Sequence, residues 1–149
     1  MGGLLPDTEF CTQVGLALAC GGLIGLERQV RGKAAGLRTS VLVVLGTQVF
    51  IWLGTTVHGP SMDPTRVLGQ VVAGVGFLGT GVILARGGTL IGVTTAAVVW
   101  ILAAIGSLIG MGRYREAVSI TLITFFVLAG VRLLDIQIRR LTGTVEVED

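Results

Sequence analysis

Five stretches of the chain carry no Asp, Glu, Lys or Arg: Phe10 to Leu26, Thr39 to Val57, Val67 to Ala85, Gly87 to Gly112 and Ala117 to Val131. A bilayer core of about 30 Å takes roughly 17–25 apolar residues in helical form. The first four stretches reach that length. The fifth reaches it once Arg132 snorkels and Leu133 and Leu134 are added. The pattern predicts an all-α integral membrane protein, a bundle of about five transmembrane helices at 9–27, 38–57, 65–85, 91–112 and 115–135. They form a single domain over 1–141, followed by a short polar tail at 142–149. Asp63-Pro64 supplies an N-cap and an N1 proline for the third helix, and Asp7 can cap the first.

Composition rules out the soluble alternative. Hydrophobic residues make up 52% and charged residues 13%, about half the charge of a soluble domain. So little polar surface cannot cover five apolar helices. A secretory signal would need a basic start, and the first nine residues hold Asp7 and Glu9 without Lys or Arg. Cys11 and Cys20 fall on nearly opposite faces of the first helix. They cannot bridge each other there, and the expectation is two buried apolar thiols.

Basic residues set the orientation. The first and third loops and the C-terminal end hold eight Lys and Arg, against three in the other segments. The positive-inside rule then puts the N-terminus outside and the C-terminus in the cytoplasm. Trp52 and Tyr114 fall near the outer interface, whereas Trp100 sits mid-helix and is expected to pack inside.

Glycine is in excess, 24 residues, about twice the average share. Gly69, Ala73, Gly76 and Thr80 follow one another at 4-3-4 spacing on the third helix. Gly21 and Gly25 pair on the first, and Ala96, Ala103, Ser107 and Gly110 line the fourth. Such stripes let helix backbones approach closely in lipid. They predict tight packing, with a homodimer as one use of it. Gly74-x-Gly76-x-x-Gly79 matches the dinucleotide fingerprint by letter, but it lacks the preceding strand and no acid lies between Asp63 and Glu116.

The candidate chemistry gathers on the cytoplasmic side. The first loop, ERQVRGKAAGLRT, holds Glu27, Arg28, Arg31, Lys33 and Arg38. As a bare topology anchor it accounts for the bases but not for Glu27, which needs a partner among Arg28, Arg31 and Arg38. Thr94 and Thr95 open the fourth helix, where amide donors are exposed. Capping alone would also explain them. Antiparallel neighbours bring these residues to one depth. The sequence thus predicts a functional polar layer with Glu27 and Arg38 as its ionic core and Arg28, Thr39, Thr94 and Thr95 around it. Lys33, Asp63, Arg66, Arg132 and Asp135 are candidate support.

The segments GLIGLERQVRGKAAGLRT at Gly22–Thr39, Asp63–Leu84 with its DPxRVxGQxVxGxGFLGxGVIL pattern, and TTAAxxW…AAIG at Thr94–Gly106 resemble the MgtC/SapB family of bacterial inner-membrane proteins. The resemblance covers roughly residues 10–135. It implies a multi-pass, N-out protein of the bacterial cytoplasmic membrane. It also implies links to growth in low magnesium, to virulence through survival inside host cells, and in some members to contact with the membrane ATP synthase. Many members carry a C-terminal soluble domain resembling an ACT module. These residues end at Asp149, which implies a short member lacking it.

The residues themselves argue against a magnesium cage. Mg²⁺ is usually held by carboxylates, and Glu27, Asp63, Glu116 and Asp135 all lie at membrane edges. No metal site and no cofactor are expected. The one histidine, His58, falls in the outer loop, and no nucleophile–base pair is evident, so an enzyme is not expected. A basic loop at a membrane surface reads as lipid-facing, with no nucleic-acid partner. The expected function is a regulatory or adaptor role in magnesium homeostasis and stress survival, through contacts with other membrane proteins. The alternative is a small oligomeric ion channel or transporter.

Overall fold

A computed structural model describes residues 7–56, 64–86 and 89–142, with the side chains of 64, 84–86, 89–90 and 131–142 outside the described set. Five helices occupy it: α1 (Thr8–Val30), α2 (Leu37–Thr56), α3 (Pro64–Gly81), α4 (Val93–Gly110) and α5 (Tyr114–Thr142). Among the described residues α1, α2 and α4 are long and apolar enough to cross a membrane. The helices alternate in direction. The α1–α2 loop lies at one end of the bundle, called here the loop end. The start of α1, the end of α2 and the α4–α5 turn lie at the opposite end.

The third span differs from expectation. Its helix stops at Gly81 rather than 85, and the chain then forms a small hairpin, β1 (Leu84–Arg86) against β2 (Thr89–Ile91), before α4. The strands pair antiparallel with Ala85 opposite Leu90. The cause is local. Gly92 takes a left-handed φ of 93° and its Cα faces the Val82 carbonyl so closely that a β-carbon there would collide with it. Only glycine fits both demands. Asp7 occupies the N-cap position of α1, but its side chain bonds no helix amide.

Close glycine contacts hold the centre together. Lipid is as apolar as leucine, so helices in a membrane gain most from short backbone approaches. A β-carbon on Gly21 would lie 2.9 Å from the Val41 Cα, and one on Gly25 would lie 2.8 Å from the Leu37 Cα. Further along the same face of α2, a β-carbon on Gly110 would lie 2.7 Å from the Gln48 carbonyl, and one on Gly106 would run into the Val44 carbonyl. One face of α2 is therefore held closely at two heights, by a glycine pair of α1 near its start and a glycine pair of α4 further on. Ile24, Val44, Leu102, Ile105 and Ile109 are fully buried at this centre.

Helix α3 stands at the margin, resting on α4 through Val75, Val99 and Ala103. Its small-residue stripe does not meet another helix among the described residues. Ala73 and Thr80 are exposed, and β-carbons on Gly69 or Gly76 would touch nothing within 4 Å. The packing expected of Gly21 and Gly25 is present, and that expected of α3 within the chain is not.

Two smaller expectations also change. Trp100 is 50% exposed, because α4 turns Val98, Val99 and Leu102 inward and leaves Trp100 on the opposite face. An apolar ring facing lipid has no need of a protein pocket. Cys20 is buried but Cys11 is exposed, and the two form no disulfide. Trp52 and Tyr114 do share one end of the bundle. There Trp52 packs against Phe10 with ring centroids 4.7 Å apart.

Candidate functional site

The polar layer at the loop end is built on one face of α1. Gln13, Ala17, Gly21, Ile24 and Arg28 follow at helical spacing, and all are buried. Because α1 runs on to Val30, Arg28 remains on this inward face instead of entering the loop. Only 3% of the residue is exposed. Its Nη2 donates to the Thr95 Oγ1 at 2.5 Å, joining the end of α1 to the start of α4. A charge-assisted hydrogen bond of this kind offsets part of the cost of burying a guanidinium.

Glu27 is the second member. Its side chain is 6% exposed and its Oε1 lies 2.6 Å from the Arg31 Nε, one helical turn on. The contact is a charge pair, since neither carboxylate oxygen accepts an aligned hydrogen bond. Arg31 also donates through Nη1 to the Leu128 carbonyl at 2.6 Å. The pair thereby ties α1 to α5. The Gln29 side chain accepts from the Leu37 amide at 3.2 Å, fixing the start of α2. Ser40 is fully buried. The Ser40 Oγ and the Arg28 Nε have no hydrogen-bond partner among the described residues.

The expected ionic core of Glu27 and Arg38 is not formed. Glu27 is taken by Arg31, which lies at i+4 on the same helix, where such pairs meet without bending the chain. Arg38 is exposed on the first turn of α2. Arg28 and Thr95 do come together, as the layer predicts. Thr39, Thr94, Lys33 and Arg66 are exposed, and they line the surface rather than the interior. Asp63 and the side chains of Arg132 and Asp135 lie outside the described residues.

A second polar cluster enters from the opposite end. Gln48 donates through Nε2 to the Gln13 Oε1 at 2.8 Å. Gln13 donates to the Tyr114 hydroxyl at 3.3 Å, and that hydroxyl donates to the Glu9 Oε1 at 3.4 Å. Gln48 is fully buried and Gln13 is 2% exposed. Sequence reasoning missed both. A polar amide inside an uncharged span is itself the signal, because such a group must find a partner in the bundle. Between the clusters lies an apolar layer. Along α2 the fully buried residues run Ser40, Val44, Gln48. Among the described residues no three His, Cys, Asp or Glu side chains gather where they could hold a metal ion.

Comparison with known proteins fits this helical, strongly apolar architecture. The MgtC family profile matches residues 14–136. A protein of Escherichia coli (strain K12) named YhiD and described as a candidate magnesium transporter is 42% identical over 127 residues, which is 80% of this chain and 59% of that protein. Protein MgtC of Brucella abortus (strain 2308) is 47% identical over 105 residues, covering 70% of this chain and 44% of its own length. Protein MgtC of Salmonella typhimurium (strain LT2) is 46% identical over 107 residues, covering 72% and 46%. The chain thus spans about half the length of the curated relatives it matches. No solved structure matches it. With the family profile laid over α1 to α5 and the relatives agreeing along the same residues, the chain belongs to the MgtC family.

Proposed function

We propose that the chain is a regulatory or adaptor protein of the bacterial cytoplasmic membrane, N-terminus out and C-terminus in, that serves magnesium homeostasis by contacting other membrane proteins. A second copy of itself is the first such partner, and a larger assembly such as the ATP synthase is a further one. The link to magnesium rests on the relatives, one of which carries magnesium transport in its description.

The observation that carries this reading is the uncovered outer face of α3. Gly69, Ala73, Gly76 and Thr80 form a smooth row that no described residue covers, flanked by Phe77 at 80% exposure and Val72 at 42%. A row of small residues is of most use where another backbone comes close. Gly76→Leu separates folding from assembly, because the new side chain meets open space within the chain. The variant is expected to fold with unchanged thermal stability. It should lose copy-to-copy crosslinking from an Ala73→Cys site in membranes, and it should grow in low magnesium as poorly as a deletion strain. Unchanged crosslinks together with normal growth would remove the α3 face from the mechanism.

An ion channel or transporter is the second reading. It is favoured by the buried amides of Gln13 and Gln48 inside the spans, since polar groups at that depth often mark ion paths. Against it stands the apolar layer of Ile24, Val44, Leu102 and Ile105, which separates this cluster from Arg28 and Thr95.

A further inference from the structure

Helices α2 and α3 diverge and leave a groove of about 620 Å³ between them. Leu42, Gly46 and Phe50 form one wall, and Val67, Gly74 and Leu78 form the other. The lining is almost wholly apolar. This groove is a different face of α3 from the small-residue row, and its wall on α2 has a distinct head. Arg38, Leu42, Gly46 and Phe50 stand four residues apart, so each is the neighbour of the next along the helix surface. The row therefore begins with a guanidinium and continues as hydrocarbon. Thr39, beside Arg38, also lines the groove.

The groove is an open cleft along the side of the bundle, and its walls offer hydrocarbon to whatever enters it. Charge identifies the occupant. Arg38 is exposed, and no described acid forms an ion pair with it. Glu27, the acid before the loop, is engaged by Arg31. A guanidinium at the edge of a membrane-spanning helix is well suited to a phosphate, which it can hold through two parallel hydrogen bonds.

We propose that the α2–α3 groove binds one anionic phospholipid, with an acyl chain along Leu42, Gly46 and Phe50 and its phosphate at Arg38. The basic loop end gives this lipid a further reason to be anionic, because clustered bases draw such lipids to the surface. A bound lipid also completes the side of α3 that the protein leaves open, steadying the helix that presents the small-residue face. The site itself does not depend on the adaptor reading. It is read on the purified chain, while the adaptor reading is tested by crosslinking and growth.

The test is native mass spectrometry of the full purified chain, given phosphatidylglycerol and phosphatidylcholine with identical acyl chains. The wild type is expected to retain one phosphatidylglycerol, with a preference over phosphatidylcholine of about tenfold or more, the scale of a charge-assisted phosphate contact. Arg38→Gln should bring the two lipids to near equality. Gly46→Leu fills the groove from a position with open space around it and should release both lipids, while in lipid-free detergent its melting temperature should match the wild type. Gly74→Leu repeats the blockade from the other wall, also into open space, and covers the case in which the first variant misfolds. Equal retention of both lipids by the wild type would overturn the proposal. So would phosphatidylglycerol retained in full by a folded groove-filling variant, or a lipid-free dimer whose interface protects the groove.

Discussion

Gly106→Leu is expected to abolish the folded bundle. A β-carbon at this position runs into the Val44 carbonyl and comes within 2.8 Å of the Thr47 Cβ. Both obstacles belong to α2, whose inner face is held against α1 at Gly21 and Gly25 as well as against α4. Overpacking a well-filled core costs about 1–3 kcal/mol even where side chains can adjust. Here backbone must move, so the loss should reach or exceed about 3 kcal/mol, the upper part of that range. Thermal unfolding in detergent measures it, with Gly46→Leu as the matched control on α2. The control carries the same added side chain into open space and should melt like the wild type. Equal melting of Gly106→Leu and wild type would show that α2 and α4 do not cross as closely as described.

Arg28→Ala is expected to have the second-largest effect. The guanidinium is 3% exposed and its bond to Thr95 is the described side-chain hydrogen bond between α1 and α4. Hydrogen bonds to charged groups contribute about 1.5–3 kcal/mol, and an orphaned buried partner adds its own desolvation cost. Arg28→Ala should therefore destabilise by about 2–3 kcal/mol. Thr95→Val retains the shape of the threonine but removes the acceptor, so it should cost a similar amount by stranding the arginine. A double-mutant cycle is the decisive form of the experiment, with an expected coupling of about 1–3 kcal/mol. Arg38→Ala, on the exposed first turn of α2, should leave stability within about 0.5 kcal/mol of wild type, as surface changes usually do. Additive effects of Arg28→Ala and Thr95→Val would mean that the two side chains do not act together.

The contrast between Arg28 and Arg38 shows how far the sequence can be read. Uncharged runs place the helices, because bilayer thickness fixes their length and charge marks their ends. The loop bases and Glu27 point to a polar layer, and of its expected members the structure brings Arg28 and Thr95 together while Arg38, Thr39 and Thr94 stay exposed. Which arginine enters it depends on where α1 stops. A basic loop looks alike whether the helix ends at Leu26 or at Val30. The helical row Gln13, Ala17, Gly21, Ile24, Arg28 holds the missing information, since it runs unbroken through the supposed helix end. The same row exposes Gln13, and its counterpart Ser40, Val44, Gln48 exposes the partner on α2. The glycine stripes were legible as close-packing surfaces, but not in direction. Gly21 and Gly25 meet α2, while Gly69 and Gly76 face no described residue. A periodic pattern states that a face is smooth and leaves open what it touches. The hairpin after α3 depends on the local approach of Gly92 to the Val82 carbonyl, which hydropathy alone does not reveal.

On the function proposed above, this chain works through contacts rather than by conducting an ion. The most direct measurement is magnesium influx into liposomes that hold only the purified protein, followed with an enclosed magnesium-sensitive dye under an imposed gradient. The apolar layer between the two polar clusters predicts influx no faster than in protein-free liposomes. Saturable influx that scales with the amount of protein, and that falls in a folded Gln48→Leu variant, would contradict the account and make the buried amides part of a transport path.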